Sequence, residues 1–503
     1  MALHDQHDLH DNAQLKKADE WHEQDEILNQ DAVALAATYV PGSAAEKALV
    51  RRIDKRIIPC IWVLYTLSYL DRANIGNAKT GGLQKDFGLT STQYSVVLLV
   101  FFVSYVIFEV PSNLAIGRLR PSLYLSGLCM LWGGVAACMG AANNYQQLAG
   151  VRFALGVIEA GFAPGVAFYL SSWYKRYELA SRFSLYYTAT AISGAFSGLL
   201  AGLITKHLNG ARGLEGWRWL FIIEGVGSAF VGCFTWYFMP DWPSTTKFLS
   251  GEERVLAAQR LAYDGLASTA GAQGHIGHWQ AVKMAVSDWR VWAFTFLYML
   301  CTGAQTIQYF VPTLIGAIGW TGYVGQYHTI PLYACALVSI VAFCFTADRL
   351  QRKPEAITLA ATMGTIFFII VVSTTKHMVQ YVFLIFAFGC VYALPPLILT
   401  WVPNVIGHPA EKRAVSIAIT NALGNSASIY GVFLWPSTDA PRYIPGFSAT
   451  TVFMALIAIG APTMAWLVKK YPVEQIDADK VVMEEIEKQR AAGRLPAHGQ
   501  LEA

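Results

Sequence analysis

The chain has little charge for its size. Only 14% of its 503 residues are Asp, Glu, Lys or Arg, and 54% are hydrophobic, whereas soluble domains average about 25% charged residues. The formal net charge is +3, and the absence of a clustered basic arm excludes nucleic acid as a partner. This composition is typical of a protein embedded in a lipid bilayer.

Short motifs of catalysis and cofactor binding are also lacking. The sequence contains neither a His-Glu-x-x-His zinc motif nor a Gly-x-Ser-x-Gly nucleophile elbow. The string GNAKT (Gly76–Thr80) is not a phosphate loop, because the Gly-Lys-Thr ending and the four-residue spacing are missing. The eight cysteines show no metal-ligand spacing. We therefore expect no enzymatic activity, no cofactor and no metal site.

Long apolar runs are what the chain has in abundance. Twelve of them approach the length of about 20 residues that a membrane-crossing helix needs. Spans 1 to 6 are predicted at residues 57–78, 93–115, 121–141, 147–171, 184–205 and 217–239, and spans 7 to 12 at 290–315, 327–347, 355–373, 379–402, 412–435 and 447–468. The predicted fold class is an all-α membrane protein with twelve transmembrane helices.

Polar segments divide the chain between and outside these runs. We predict a disordered cytoplasmic N-terminal tail at 1–55, a six-helix bundle at 56–240, a cytoplasmic linker at 241–288, a second six-helix bundle at 289–470 and a cytoplasmic tail at 471–503. Within the linker, the stretch EERVLAAQRLAYDG favours a short amphipathic helix on the membrane surface.

Positive charges indicate the orientation. Lys and Arg are concentrated in the short flanks on the side of the two termini, for example at Arg51, Arg52 and Lys353, so both termini are predicted to be cytoplasmic. The loops after spans 2 and 8, GRLRP (Gly117–Pro121) and ADRLQRKP (Ala347–Pro354), resemble each other. Such similarity between equivalent loops of two six-span halves is typical of transporters in which two repeated bundles flank a site near the middle of the membrane.

Three stretches resemble a known family. They are EKALVRRIDKRIIPCIWVLYTLSYLDRANIGNAK (Glu46–Lys79), RFALGVIEAGFAPGV (Arg152–Val166) and DAPRYIPGF (Asp439–Phe447). They are similar to the anion:cation symporters of the major facilitator superfamily, in particular the fungal allantoate, nicotinate and pantothenate permeases. The resemblance implies the major facilitator fold, with two six-helix bundles, and proton-coupled transport of a small organic anion.

Charged residues inside the predicted spans carry the main site hypothesis. A charge near the bilayer centre costs about 2.5 to 3.5 kcal/mol, so Asp71, Arg72, Arg152 and Glu159 are expected to face the protein interior. Arg152 and Glu159 are seven residues apart and share a helix face. The family resemblance implies proton coupling by Asp71 and Glu159 and substrate binding by Arg72. In the other interpretation, Asp71 and Arg152 pair and hold spans 1 and 4 together.

Weaker candidates lie elsewhere. Arg152, Gln305, Tyr392 and Asn421 are candidate substrate contacts, although hydrogen bonding between helices explains such polar residues equally well. The candidate gating residues are Glu109, Arg118, Asp348 and Arg349. The cytoplasmic loop pattern of the superfamily is G-x-x-x-D-R-x-G-R-R. In this chain the loop after span 8 keeps its Asp and Arg as Asp348 and Arg349, whereas the loop after span 2, GRLRP, lacks the Asp.

The sequence thus predicts a monomeric permease of the plasma membrane that imports an organic anion, such as a carboxylate nutrient or vitamin, with protons. Two alternatives stay open: efflux of an acidic metabolite, and a transporter-like nutrient receptor. A receptor needs a long structured cytoplasmic domain, for which the tails leave little room.

Overall fold

The computed structural model describes residues 35–116, 119–269, 278–406, 410–471, 487–488 and 491, and the described residues are mostly helical with no strand among them. In the first half, span 1 is Ala44–Ala78, span 2 Ser91–Ile116, span 3 Pro121–Met139, span 4 the pair Tyr145–Glu159 and Phe162–Ser171, span 5 Arg176–His207, and span 6 Gly216–Phe238.

The second half has more interrupted helices. Span 7 consists of Trp289–Gln305, the 3₁₀ turn Thr306–Phe310 and Val311–Ile318; span 8 of Gly322–Tyr327 and Ile330–Leu350; span 9 is Lys353–Ser373; span 10 is His377–Val405; span 11 consists of Ala410–Asn425, Ala427–Gly431 and Val432–Leu434; and span 12 is Ile444–Lys470. Shorter elements are the π-helical Lys79–Leu83, Gln84–Asp86, Ala211–Gly213, Gly251–Thr269, His278–Val286 and Ser437–Asp439.

The helix of span 1 begins at Ala44, earlier than predicted, so residues 44–55 of the predicted disordered tail are helical. Ser43 caps this helix by accepting a 3.2 Å hydrogen bond from the Glu46 backbone N–H. The Glu46 carboxylate in turn accepts a 2.7 Å bond from the Gly42 N–H. A Ser followed three residues later by Glu is a helix-start signal that the sequence already carries.

Ten of the described helices are long and apolar enough to cross a membrane, as judged by length and composition. Spans 1 and 7 do not meet this criterion of length and hydropathy. Asp71 and Arg72 lower the hydropathy of span 1, and span 7 changes to a 3₁₀ turn at Thr306–Phe310. Many large apolar side chains on the outward faces of the spans are exposed, among them Phe230 and Val338, as expected for surfaces that meet lipid.

Helix packing repeats between the two halves. In the first half, the most extensive contacts pair span 3 with span 6, span 1 with span 5, and span 2 with span 4. In the second half the equivalent helices pair in the same way: span 9 with span 12, span 7 with span 11, and span 8 with span 10. The chain therefore folds as two six-helix bundles of the same construction.

Small residues allow the closest helix pair. A Cβ atom on Gly133 of span 3 would lie 2.4 Å from the Ala229 backbone nitrogen, and one on Gly225 of span 6 would lie 2.4 Å from that of Ala137. Each helix thus offers a glycine and, four residues later, an alanine to its neighbour. This small-xxx-small pattern lets two backbones approach without a hydrophobic driving force in lipid.

The two bundles meet along a seam of spans 1, 2 and 5 against spans 7, 8 and 11. We call the end where span 1 begins the inner end and the opposite end the outer end. At the outer end, Gln326 Nε2 donates to Thr80 Oγ1 at 2.9 Å and Ser95 Oγ donates to the Val432 carbonyl at 3.1 Å. These bonds close the outer end of the seam.

A glycine-rich stretch of span 5 forms part of this closure. A Cβ atom on Gly194 would meet the Tyr333 ring at 2.1 Å, and one on Gly198 would meet Thr329 Oγ1 at 2.2 Å. The stretch SGAFSGLLAG therefore serves close packing of span 5 against span 8.

The linker helix Gly251–Thr269 packs against the first bundle at the inner end. Its Arg260 side chain is fully buried and donates to Glu46 at 3.1 Å and to Glu178 at 2.7 Å. At its start, Glu253 pairs with Arg52 at 2.7 Å. We predicted an amphipathic helix in this linker, and buried ion pairs hold the observed helix against spans 1 and 5.

Candidate functional site

A cleft lies at the seam between the bundles, at the level where span 7 loses its α-helical geometry. Its wall comes from spans 1 and 2 on one side and from spans 7 and 11 on the other. The lining residues are Tyr69, Arg72, Phe102, Tyr105, Val106, Thr302, Gln305, Gln308, Tyr309, Asn425 and Ser428. Arg72 is the one cation among these residues, so the cleft is suited to an anionic ligand.

Arg72 is held by span 4. Its Nε donates a 2.7 Å hydrogen bond to Glu159 Oε1, and the same oxygen accepts a short bond from Ser68 Oγ. Ser68 and Arg72 are four residues apart, so both project from one face of span 1. Glu159 is 1% exposed and its Oε2 has no hydrogen-bond partner among the described residues. Glu159 is therefore the counterion of Arg72.

Aromatic rings complete the surroundings of Arg72. The centre of its guanidinium lies 5.2 Å from the Tyr69 ring centroid, 5.5 Å from that of Phe101 and 5.0 Å from that of Tyr105. Ring faces attract a cation without consuming its N–H donors. The rings thus orient the guanidinium, while only Glu159 among the described carboxylates forms an ion pair with it.

Asp71 faces away from the cleft. Its Oδ2 accepts a 3.3 Å hydrogen bond from Ser228 of span 6, and the residue is 1% exposed. One turn further along, Asn74 donates to Glu224, which is also on span 6. Span 1 therefore has two buried polar contacts with span 6, Asp71–Ser228 and Asn74–Glu224, on the side that faces away from the cleft.

Arg152 lies behind the cleft rather than in its wall. The side chain is 1% exposed, and its Nε and Nη2 atoms have no hydrogen-bond partner among the described residues. Its guanidinium centre lies 5.7 Å from the Phe101 centroid, so Phe101 contacts both Arg72 and Arg152. Asp71 and Arg152 attract each other electrostatically but form no direct ion pair among the described residues. The direct ion pair between spans 1 and 4 is Arg72–Glu159.

The second bundle supplies amide and hydroxyl groups. Gln305 lines the cleft and donates to the Tyr187 hydroxyl at 3.2 Å, which crosses the seam to span 5. Tyr392 is buried outside the lining and donates to Gln308 Oε1 at 2.7 Å. Asn421 is also outside the lining, and its Oδ1 accepts a 3.3 Å hydrogen bond from the lining residue Asn425. Tyr392 and Asn421 therefore act on the cleft through their neighbours.

The described gating candidates, Glu109, Asp348 and Arg349, occupy the inner half. Glu109 is 6% exposed and interacts with Asn421 across the seam. Asp348 lies 3.6 Å from Lys353, whose Nζ also donates to the Thr400 carbonyl at 3.0 Å. Arg349 is exposed, and Arg118 lies outside the described residues.

Several cleft residues were missed by sequence reasoning. Tyr69, which lines the cleft, and Ser68, which donates to Glu159 beside it, precede Arg72 by three and four residues, and this spacing is a signal that was available. Phe102, Val106 and Ser428 carry no such signal, because an apolar or small lining residue has the same pattern as a core residue.

Comparison with known proteins agrees with this architecture. Residues 61–432 match the family model of the Major Facilitator Superfamily. The chain belongs to the major facilitator superfamily. It is 35% identical over 411 residues to the MFS transporter prlL of Fungal sp. (strain NRRL 50135), covering 80% of this chain and 82% of that protein. It is 31% identical over 440 residues to the MFS-type transporter cnsO of Penicillium expansum, covering 85% and 84%.

Solved structures show the same fold. A bacterial homologue of the human lysosomal transporter Spinster, in an inward-facing and occupied conformation, superposes with a TM-score of 0.62 at 14% identity and covers 85% of this chain and 98% of its own. The Escherichia coli xylose transporter XylE, partially occluded and inward open, superposes with a TM-score of 0.57 at 16% identity, covering 82% and 98%. This major facilitator protein is thus an integral membrane transporter.

Proposed function

We propose that this transporter imports a small organic anion, a carboxylate nutrient or vitamin of the allantoate, nicotinate or pantothenate class, together with protons. One observation carries the proposal: Arg72 lines the cleft between the bundles and forms an ion pair with only one carboxylate, Glu159, among the described residues. The family resemblance of the LDRANIG segment to anion:cation symporters supports the same substrate class.

Exchange of partners at Arg72 couples the substrate to the proton. A guanidinium stays protonated and can fork onto a carboxylate with two charge-assisted hydrogen bonds. When Glu159 takes up a proton, it no longer balances the Arg72 charge, and the substrate carboxylate replaces it. The site then holds one proton more and one anion more, so its net charge is unchanged.

The hydrogen bond that Arg72 donates to Glu159 uses only its Nε. The remaining donors of the guanidinium lie in a cleft whose other wall offers Gln305, Gln308 and Asn425. Neutral amides of this kind suit the polar remainder of a small carboxylate, while Tyr69 and Tyr105 offer ring faces to its apolar parts. In this proposal Asp71 is a second carboxylate that binds a proton, on the face of span 1 that points away from the cleft and toward span 6.

The proposed setting is the plasma membrane, with the protein as a monomer and both termini in the cytoplasm. The excess of Lys and Arg in the short loops on the side of the termini supports this orientation.

Uptake measurements test the proposal. Vesicles containing the protein are given radiolabelled monocarboxylates at several external pH values, with and without a protonophore. We expect uptake to rise as the external pH falls, to collapse with the protonophore, and to be inhibited poorly by the neutral amide of each acid. Equal inhibition by acid and amide would refute the anion, and pH-independent accumulation would refute proton coupling. Transport confined to the outward direction would establish efflux instead.

A further inference from the structure

Lys79 is a buried cation at the outer end of the seam. The residue is 7% exposed and begins the segment Lys79–Leu83, in which the chain is kinked at Gly82 after span 1. Among the ion pairs and hydrogen bonds of the described side chains, none involves the Lys79 ammonium.

Aromatic rings from both bundles surround this ammonium. Lys79 Nζ lies 4.4 Å from the centroid of Tyr94 on span 2 and 5.3 Å from that of Phe310 on span 7. Phe310 meets Tyr94 edge-on at 6.0 Å and stacks against Trp435 at 6.1 Å. A lysine near a membrane surface ordinarily extends its ammonium into water. Here the ring of Phe310, contributed by the other bundle, covers it.

Covering Lys79 has an energetic cost that packing alone does not explain. A desolvated ammonium without a counterion is unfavourable, and cation–π contacts offset only part of that cost. A neutral side chain of the same length would pack between Tyr94 and Phe310 without the penalty. The charge is therefore expected to serve another state of the transporter.

Lys79 belongs to a row of cations. It follows Arg72 by seven residues, two helical turns, so both lie on one face of span 1, about 10 Å apart along the axis. Arg152 lies beside Arg72, because both guanidinium groups contact the Phe101 ring. Two guanidinium nitrogens of Arg152 have no hydrogen-bond partner among the described residues. The row thus leads from the outer end of the seam to the cleft.

We propose that Lys79 forms an entry site for the organic anion in the state that is open to the outer side. When spans 7 and 11 move away from spans 1 and 2, as alternating access requires, Phe310 leaves Lys79 and the ammonium faces outer water. The substrate carboxylate binds there first, is passed to Arg72, and the rings close behind it. This inference rests on the proposed function, because it assigns a second site to the same substrate.

Side-specific kinetics test the entry site. The variants are Lys79→Gln, Lys79→Arg and, as a matched control on the exposed outer loop, Lys85→Gln. Initial uptake of a radiolabelled monocarboxylate is measured from the outer side at low and high ionic strength, and release from preloaded vesicles is measured into substrate-free buffer. We expect Lys79→Gln to raise the KM for uptake about tenfold and to weaken its salt dependence, while the KM of Lys79→Arg changes less than about threefold. Lys85→Gln should match the parent protein.

A cysteine variant covers the case in which Lys79→Gln does not fold. In Lys79→Cys, a thiol reagent that adds an aminoethyl group restores the cation, and one that adds an ethylsulfonate places an anion there. We expect the first reagent to restore low-KM uptake and the second to abolish it, with the parent protein unaffected by either. Equal effects of both reagents would overturn the entry site.

The test separates this inference from the proposed function. If the parent protein takes up carboxylates, Arg72→Ala eliminates uptake and Lys79→Gln retains the parental KM, then the entry site is wrong and the proposed function stands. If the parent protein takes up no carboxylate, both are wrong.

Discussion

Asp71 and Arg72 are consecutive residues whose side chains lie on different sides of span 1. Asp71 accepts a hydrogen bond from Ser228 on span 6 at 3.3 Å, whereas Arg72 donates to Glu159 on span 4 at 2.7 Å and lines the cleft. A proton on Asp71 is thus separated from a substrate on Arg72 by the helix itself. Asp71 also interacts electrostatically with Glu159, the counterion of Arg72, so a proton on Asp71 affects this ion pair through charge as well as through movement of span 1.

Changing Arg72 tests the substrate contact. Lysine keeps the charge but loses the planar fork, so Arg72→Lys should lose about one charge-assisted hydrogen bond, about 1.5 kcal/mol, and raise the KM for a monocarboxylate about tenfold. Arg72→Ala should eliminate uptake. Kinetics of radiolabelled uptake measure both. Arg212→Lys, on an exposed loop, is the matched control. Normal uptake by Arg72→Ala at equal surface expression would contradict the assignment.

Changing Glu159 tests the coupling. Glutamine keeps an oxygen that can accept from Arg72 and Ser68 but cannot release a proton. Glu159→Gln should therefore exchange labelled for unlabelled substrate and fail to concentrate it when a pH gradient is applied. Counterflow measures the exchange, and uptake driven by a pH gradient measures the accumulation, both in the same vesicles. Glu252→Gln, at an exposed position of the linker helix, is the control. Parental accumulation by Glu159→Gln would remove Glu159 from the coupling mechanism.

Changing Asp71 separates coupling from binding. Because Asp71 faces span 6 and forms no ion pair with Arg152, Asp71→Asn should leave the KM within about threefold of the parental value. It should nevertheless reduce accumulation driven by a pH gradient. A KM increase as large as that of Arg72→Lys would instead place Asp71 in the binding site.

Acid should weaken the inner end of the first bundle. Burial by itself raises the pKa of Glu46, but hydrogen bonds from Lys175 and Tyr39 and the Lys175 charge, 2.5 Å away, lower this pKa to about 2. A carboxyl whose pKa is depressed by folding stabilises the protein above its ordinary pKa of about 4.3 and loses that contribution as the pH falls. The difference in Tm between the parent protein and Glu46→Gln should thus be constant above about pH 5 and shrink toward pH 2.

Thermal unfolding of the purified protein across this pH range measures the effect of Glu46. A difference in Tm that does not vary with pH would show that the Glu46 ion pair contributes nothing that titrates.

A larger residue at Gly198 should prevent closure of the outer end. Its Cβ would lie 2.2 Å from Thr329 Oγ1, so Gly198→Leu forces span 5 away from span 8. We expect transport to fall at least tenfold while the protein still reaches the membrane. Gly134→Leu on span 3, where a Cβ atom meets nothing within 4 Å, should transport normally. Equal transport by the two variants would show that this contact is not needed for the transport cycle.

Sequence reasoning located the spans and their grouping because a run of about 20 apolar residues indicates a membrane-crossing helix without any knowledge of its neighbours. It was less accurate at boundaries set by single contacts. The helix of span 1 starts at Ala44 because of its Ser43 cap, and the linker helix packs against the bundle because Arg260 is buried between two carboxylates. The interruptions in spans 7 and 11 also have no clear signal in composition.

The sequence by itself determined that buried charges sit in spans 1 and 4, since the cost of a charge in lipid demands a protein interior around it. It could not determine which charges pair, because the pairing depends on how each helix is rotated about its axis. Tertiary structure alone decided that Arg72 pairs with Glu159, that Asp71 faces Ser228, and that Lys79 lies between rings from both bundles. The physical reason is that these contacts join residues far apart in the chain, so helix packing sets their geometry.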